Sequence, residues 1–86
     1  MGISLYEVKY EDFYLKDFDL RDVEQVLADH FECWSVGGGV FFTVDVELIE
    51  ELLEKGKLSK KERRILEALK VEAEKRNGAF DIMCLY

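Results

Sequence analysis

The sequence is poor in the residue types from which catalytic and metal sites are most often built. It has a single histidine, His30, only two cysteines, Cys33 and Cys84, and no proline. A structural zinc site needs four ligands at paired spacings, and a nucleophilic cysteine needs a base within hydrogen-bond reach. The sequence therefore predicts no metal site and no cysteine–histidine catalytic centre, and places His30 at the end of a helix, where positive charge is favoured.

Membrane and secretion signals are also missing. The chain has no apolar run near the roughly 18 residues of a membrane span, and residues 1–5 have neither the basic region nor the cleavage site of a signal peptide. Cys33 and Cys84 lie far apart in apolar, strand-like contexts. We expect two buried, reduced thiols and a cytoplasmic location.

No cofactor-binding motif is present. The three glycines at 37–39 are followed by Val40, Phe41 and Phe42, which favour a strand, whereas a phosphate-binding loop leads into a helix. Most carboxylates fall on the polar sides of predicted helices, away from the apolar pocket that keeps a catalytic acid protonated. These features predict a protein that is not an enzyme and has no cofactor.

What is present suits one small globular domain spanning residues 1–86. The apolar fraction of 49% and the aromatic fraction of 13% are sufficient for a core. A chain of this length buries about 60–65% of its unfolded surface, which supports one core but no deep cleft.

Local patterns predict the order β(β)αββααβ. Asp19 and Ser59 begin helices, the latter in a capping box with Glu62. We expect Gly56 to end the second helix in the left-handed conformation, and the 77–78 pair to end the third. The predicted strands are 3–10, 13–18, 33–36, 40–44 and 80–86. The predicted helices run from about 20 to 31, from a cap at Asp45 or Thr43 to about 55, and from about 60 to 76.

The predicted fold class is α+β. We expect a small antiparallel or mixed β-sheet of about four to five strands, with three helices packed mainly on one face. The glycines at 37–39 join two strands in a hairpin. The last strand is apolar except for Asp81, which predicts a position inside the sheet.

Charge is distributed unevenly along the chain. Residues 1–54 carry 14 acids and 3 bases, whereas residues 55–86 carry 9 bases and 5 acids. Carboxylates at helical spacings approach a phosphate backbone in charge density, although acidic helix faces also serve solubility alone. The predicted partner-binding carboxylates are Asp17, Asp19, Asp22, Glu24, Asp29, Glu47, Glu50, Glu51 and Glu54.

A basic segment begins the third helix and supports a second hypothesis. Bases there oppose the helix dipole, which favours an anion-binding role, unless they neutralise acids of the same domain. Residues 58–69 resemble the opening helix of some helix-turn-helix regulators, but a strand follows instead of a second helix. The predicted anion-binding residues of this alternative are Lys57, Lys60, Lys61, Arg63 and Arg64.

Aromatic residues are more numerous than a core of this size requires. We expect Tyr10, Phe13 and Tyr14 to be exposed beside the carboxylates, as anchors of a protein-binding face or of a homodimer. The leading hypothesis is a small acidic inhibitor or regulator that docks this surface on the basic, nucleic-acid-binding surface of a partner protein. In size, charge and compactness the chain resembles small phage-encoded inhibitors such as anti-CRISPR and anti-restriction proteins.

Overall fold

The chain folds as three helices and a four-stranded antiparallel sheet, as seen in a computed structural model that describes residues 4–7 and 13–85. This confirms the predicted α+β class. None of the helices in these residues is both long and apolar enough to cross a membrane. The elements are β1 (Ser4–Glu7), α1 (Leu20–His30), β2 (Cys33–Val36), β3 (Gly39–Asp45), α2 (Val46–Lys55), α3 (Lys60–Glu74) and β4 (Ala79–Leu85).

The strands lie in the order β1-β4-β3-β2. The apolar strand β4 occupies an interior position between β1 and β3, as its composition predicted. The hairpin of β2 and β3 closes through Gly37 and Gly38, where Gly38 takes a positive φ of 82°. The short strands β1 and β2 form the two edges.

The helices pack on one face of the sheet and share one core with it. Phe42, Val44, Ile82 and Cys84 point from β3 and β4 into this core and are almost fully buried. Alternate residues of the same strands lie on the opposite face, which we call the open face. The helical core residues are Val23, Val26, Leu27, Ile49, Ile65, Leu66, Leu69 and Ala73.

Three polar side chains start the three helices. Asp19 accepts a hydrogen bond from the Arg21 amide, and Asp45 accepts one from the Glu47 amide. Ser59 and Glu62 form the predicted capping box in both directions. Just beyond the other end of α3, Asn77 and Gly78 adopt positive φ values of 63° and 98°. The predicted caps Asp19 and Ser59 are confirmed, and α3 ends at Glu74, slightly before the predicted end near residue 76.

The predicted strand at 13–18 is wrong. This segment is a loop with a turn at residues 16–17. The Phe13 amide donates to the Leu5 carbonyl at 2.9 Å, but Asp17 has a φ of 67°, which an extended strand does not allow. The loop then leads directly to the α1 cap at Asp19.

The predicted left-handed end of α2 is also wrong. Gly56 caps the helix with an extended backbone, at φ −77° and ψ 146°. Glycine suits this site for a different reason: a Cβ here would lie 2.5 Å from the Leu52 carbonyl oxygen. The backbone of Gly56 therefore lies too close to the last turn of α2 for a side chain.

The expectation of two buried thiols holds for only one cysteine. Cys84 is fully buried in the interior strand β4, whereas Cys33 is exposed. Cys33 starts the edge strand β2, which has a neighbour on one side only. An apolar sequence context therefore did not give burial at this position.

Candidate functional site

The exposed side of α2 carries a stripe of carboxylates. Glu47, Glu51 and Glu54 follow one another at spacings of four and three residues, which places them on one side of the helix. All three are exposed, and none forms an ion pair with another described residue. Glu50 instead turns toward α3, where its carboxylate lies 3.6 Å from the Lys70 ammonium.

This stripe borders a shallow hollow where the sheet meets α2. The hollow has a volume of about 370 Å³ and is lined by Glu32, Thr43, Asp45, Glu47, Leu48 and Glu51. We call it the acidic hollow, because four of its six described lining residues are acidic and none of these six is basic. Asp45 holds the start of α2, so the helix cap and the stripe are fixed relative to each other. Asp45 was not among the predicted site residues.

A second hollow, of about 350 Å³, lies between the starts of α1 and α3 and has mixed charge. The Lys61 ammonium lies 3.4 Å from the Asp22 carboxylate, and the Arg64 guanidinium covers the Phe18 ring at 5.5 Å. Acids from the first half of the chain are therefore matched here by bases from the second half. The hollow is lined by Asp17, Phe18, Asp19, Asp22, Lys60, Lys61 and Arg64.

The basic start of α3 is explained largely by contacts within the domain. Arg63 donates to the Leu53 carbonyl at 3.1 Å, in the last turn of α2, where a helix favours positive charge. Lys61 pairs with Asp22 of α1, which agrees with the alternative that these bases neutralise acids of the same domain. Lys57 and Lys60 are exposed.

The remaining predicted carboxylates lie on α1. Asp29 is exposed and accepts a hydrogen bond from the Gln25 amide group at 2.9 Å, and Glu24 is half-buried. These two acids are not part of the lining of either hollow. The predicted acidic residues therefore lie in three separate places: on α2 beside the acidic hollow, in the mixed-charge hollow, and on α1.

His30 connects the end of α1 to the capping box of α3. Its Nε2 lies 2.8 Å from the Glu62 carboxylate, which also accepts from the Ser59 amide. The hydrogen bond with His30, followed by those with Ser59, lowers the pKa of Glu62 below its ordinary value of 4.5. His30, predicted at a helix end, therefore links the end of α1 to the start of α3 through this hydrogen bond.

This contact predicts acid sensitivity. Because the folded pKa of Glu62 is depressed, the folded state binds this proton more weakly than the unfolded chain. The stabilisation is present above pH 4.5 and is lost as the pH falls through the lower folded pKa. Urea unfolding from pH 7 to pH 3 is expected to show a shallower loss of stability in E62Q than in the wild type. The control is E67Q, which changes an exposed acid of the same helix; equal pH profiles for E62Q and wild type would contradict the prediction.

The predicted aromatic anchors are only partly placed where we expected them. Phe13 is 2% exposed and its ring lies 5.4 Å from that of Phe80, so its prediction as a surface anchor is wrong. The Phe13 amide is bonded to the Leu5 carbonyl of β1, and the Phe13 side chain lies in the core. Tyr14, the next residue, is 67% exposed, and Tyr10 lies outside the described residues.

Sequence reasoning missed a row of three aromatic side chains and one methionine on the open face of the sheet, which we call the aromatic row. Trp34 lies opposite Phe41, Phe41 opposite Met83, and Met83 opposite Tyr6 in the strand register. Trp34 is 49% exposed, and its ring is stacked on that of Phe41 with centroids 5.8 Å apart and planes 8° apart. Side chains alternate between the two faces of a strand, so Phe41 and the buried Phe42 lie on opposite faces of β3. This alternation is the sequence signal that could have revealed the row.

Within the described residues, no group of three or more His, Cys, Asp or Glu side chains is arranged to hold a metal ion. What the surface offers is charge of one sign at the acidic hollow and aromatic area on the adjoining sheet face. Comparison with protein-family models, with curated proteins and with solved structures found no match to this chain.

Proposed function

We propose that the protein is a small acidic binding domain that docks the carboxylates of α2 and of the acidic hollow on a basic surface of a partner protein. The observation that carries the proposal is the concentration of Glu32, Asp45, Glu47 and Glu51 around one hollow that has no basic residue among its described lining. A net charge of −7 adds a long-range attraction toward a positive surface.

Charge pairing favours α2 over α1 as the docking surface. At the start of α1, Asp22 has Lys61 as a partner and the surrounding hollow contains three bases. On α2, the stripe Glu47, Glu51 and Glu54 is not neutralised by described residues. A basic partner therefore gains more from the α2 carboxylates, since no ion pair with a described residue has to be broken first.

The class of partner follows from the chemistry of the stripe. Glutamates at helical spacing have Cβ atoms about 5–6 Å apart, so the stripe presents closely spaced negative charges, as a phosphate backbone does. We infer a nucleic-acid-binding protein or complex, which the chain inhibits by occupying its phosphate-contacting lysines and arginines. Binding of this kind needs no catalytic group on the chain.

Charge reversal on α2 tests the proposal. Tagged wild-type protein captures partners from an extract of its source; each captured protein is identified, purified and titrated calorimetrically. In E47K/E51K we expect the affinity for a basic partner to fall at least about tenfold, because two attractions become repulsions. Raising the salt concentration is expected to weaken wild-type binding as well.

The matched control is E67K/E74K on α3. It reverses two exposed acids and changes the net charge by the same amount, so it reproduces any effect of overall charge. We expect it to bind within about threefold of the wild type. Equal losses in the two variants would mean that only net charge matters, and unchanged binding in E47K/E51K would overturn the proposal.

The second candidate is a nucleic-acid-binding domain that contacts phosphate through the start of α3. The clustering of Lys60, Lys61 and Arg64 around one hollow favours it, while Asp17, Asp19 and Asp22 in the same hollow oppose it. Its test is the binding of labelled single- and double-stranded DNA and RNA at about 50 and 150 mM salt. Binding that weakens with salt and disappears in K60E/K61E/R63E/R64E would favour this candidate; we expect none.

A further inference from the structure

We propose that the open face of the sheet is the anchoring part of the same binding surface, and that its occupant is an arginine-containing segment of a basic protein. The inference rests on the proposed function and adds to it the position of the apolar anchor and the chemistry of the group that meets it. Trp34 and Phe41 form the anchor, and Asp81, Asp45 and Glu32 supply the charge.

The aromatic row crosses all four strands. In register, it runs from Trp34 on the edge strand β2 through Phe41 and Met83 to Tyr6 on β1. Its members are exposed or half-buried, while the neighbouring residues Phe42 and Ile82 point into the core. The helices cover only the core face, so this row remains a surface in the described part of the chain.

An acidic zone adjoins the aromatic row on the same face. One step along the ladder, Thr43 lies opposite Asp81 and donates a hydrogen bond to its carboxylate at 2.9 Å. The next step on β3 is Asp45, which belongs to the acidic hollow with Thr43 and Glu32. The open face therefore changes from apolar to acidic over two steps of the ladder, and continues into the α2 stripe.

The charge pattern identifies the occupant. The described open-face positions carry no lysine or arginine, so phosphate would meet carboxylates without a counter-charge. These positions are Ser4, Tyr6, Trp34, Gly39, Phe41, Thr43, Asp45, Ala79, Asp81, Met83 and Leu85.

A second copy of the chain would also be acidic overall. An arginine suits both zones, because its planar guanidinium stacks on aromatic faces and forms paired hydrogen bonds with carboxylates. An arginine-containing segment therefore fits this face better than nucleic acid or a second copy does.

Trp34 provides a direct readout, because it is the only tryptophan in the chain. The probes are three synthetic twelve-residue peptides in which valine alternates with arginine, lysine or aspartate. We expect the arginine peptide to change Trp34 fluorescence and to shift amide signals of β2, β3 and β4 in a salt-sensitive way. The lysine peptide is expected to bind more weakly, and the aspartate peptide not at all.

The test variant is Trp34→Ala, and the matched control is Tyr14→Ala, which removes another exposed aromatic ring. Affinity for the arginine peptide, measured by amide shifts, is expected to fall about fivefold or more in the first and to stay within twofold in the second. Unchanged circular dichroism and melting of Trp34→Ala show that the fold is retained. Equal affinities of wild type and Trp34→Ala would overturn the inference.

Other occupants give distinct results, each of which contradicts the inference. A concentration-dependent rise in mass without peptide, abolished in Trp34→Ala, would identify a second copy. A change in Trp34 fluorescence with an oligonucleotide but with no peptide would identify nucleic acid.

The captured partner separates the two proposals. If E47K/E51K loses this partner while Trp34→Ala retains it, the proposed function stands and the anchor fails. The reverse result would support the anchor and refute the α2 stripe.

Discussion

Replacing Phe42 by alanine is expected to lower the free energy of unfolding by about 3–5 kcal/mol. Phe42 is 1% exposed on the interior strand β3 and contributes to the core shared by the sheet and the helices. Domains of this kind have a total stability of about 5–15 kcal/mol, so the variant is expected to lie near the limit of folding. Urea unfolding measures the loss directly.

The control for Phe42→Ala is Phe41→Ala, the same substitution one residue earlier. Phe41 is half-buried on the open face, where it contacts Trp34. We expect this change to cost about 1 kcal/mol, the loss of a partly exposed aromatic pair. Equal losses at the two positions would contradict the assignment of the two sheet faces.

Gly39→Ala is expected to destabilise the hairpin by about 1–3 kcal/mol, the range typical of overpacking. A Cβ at Gly39 would lie 2.5 Å from the Cys84 carbonyl oxygen and 2.9 Å from the Leu85 side chain. The Leu85 side chain can rotate, but the Cys84 carbonyl belongs to the interior strand β4. We therefore expect the loss at the upper end of this range, as measured by thermal and urea unfolding.

The matched control is Gly37→Ala in the same run of glycines. A Cβ at Gly37 meets nothing within 4 Å, and its φ is not in the positive region. Replacing such a glycine restricts the unfolded chain and is expected to raise stability by about 0.4–1 kcal/mol. A loss at Gly37 equal to that at Gly39 would indicate that the turn, rather than close packing of strands, needs the glycines.

Local signals predicted the elements that depend on local chemistry. The capping box of Ser59 and Glu62, the glycine hairpin and the Asn77–Gly78 helix end are each formed within a few residues. The fold class followed from these signals, since helices and strands of known order allow few arrangements. The interior position of β4 followed from its apolar composition.

The burial of individual side chains depended on tertiary packing and could not be predicted from local sequence. Phe13 and Tyr14 are adjacent aromatic residues in a loop, yet one is buried and the other exposed, because only the packing of the loop against the core distinguishes them. Cys33 is exposed because β2 is an edge strand, which depends on the strand order. The alternation of Phe41 and Phe42 was readable, but which of them faces the helices was not.

The sequence predicted the type of candidate site but only some of its residues. An acidic surface with aromatic anchors was expected, and Glu47, Glu51 and Glu54 form its exposed stripe. The sequence could not show that Asp22 would pair with Lys61, a contact between α1 and α3. Nor could it show that Glu32 and Asp45 would meet at the acidic hollow, since that depends on the start of β2 and the end of β3 lying together beside α2.

The central claim, that the chain docks its carboxylates on a basic surface of its partner, is tested most directly by competition with a polyanion. The purified partner is titrated with the chain in the absence and in the presence of saturating heparin. Because heparin and the α2 carboxylates would occupy the same lysines and arginines, we predict that heparin lowers the apparent affinity at least about tenfold. Simultaneous binding of heparin and the chain, with the affinity unchanged, would contradict the claim.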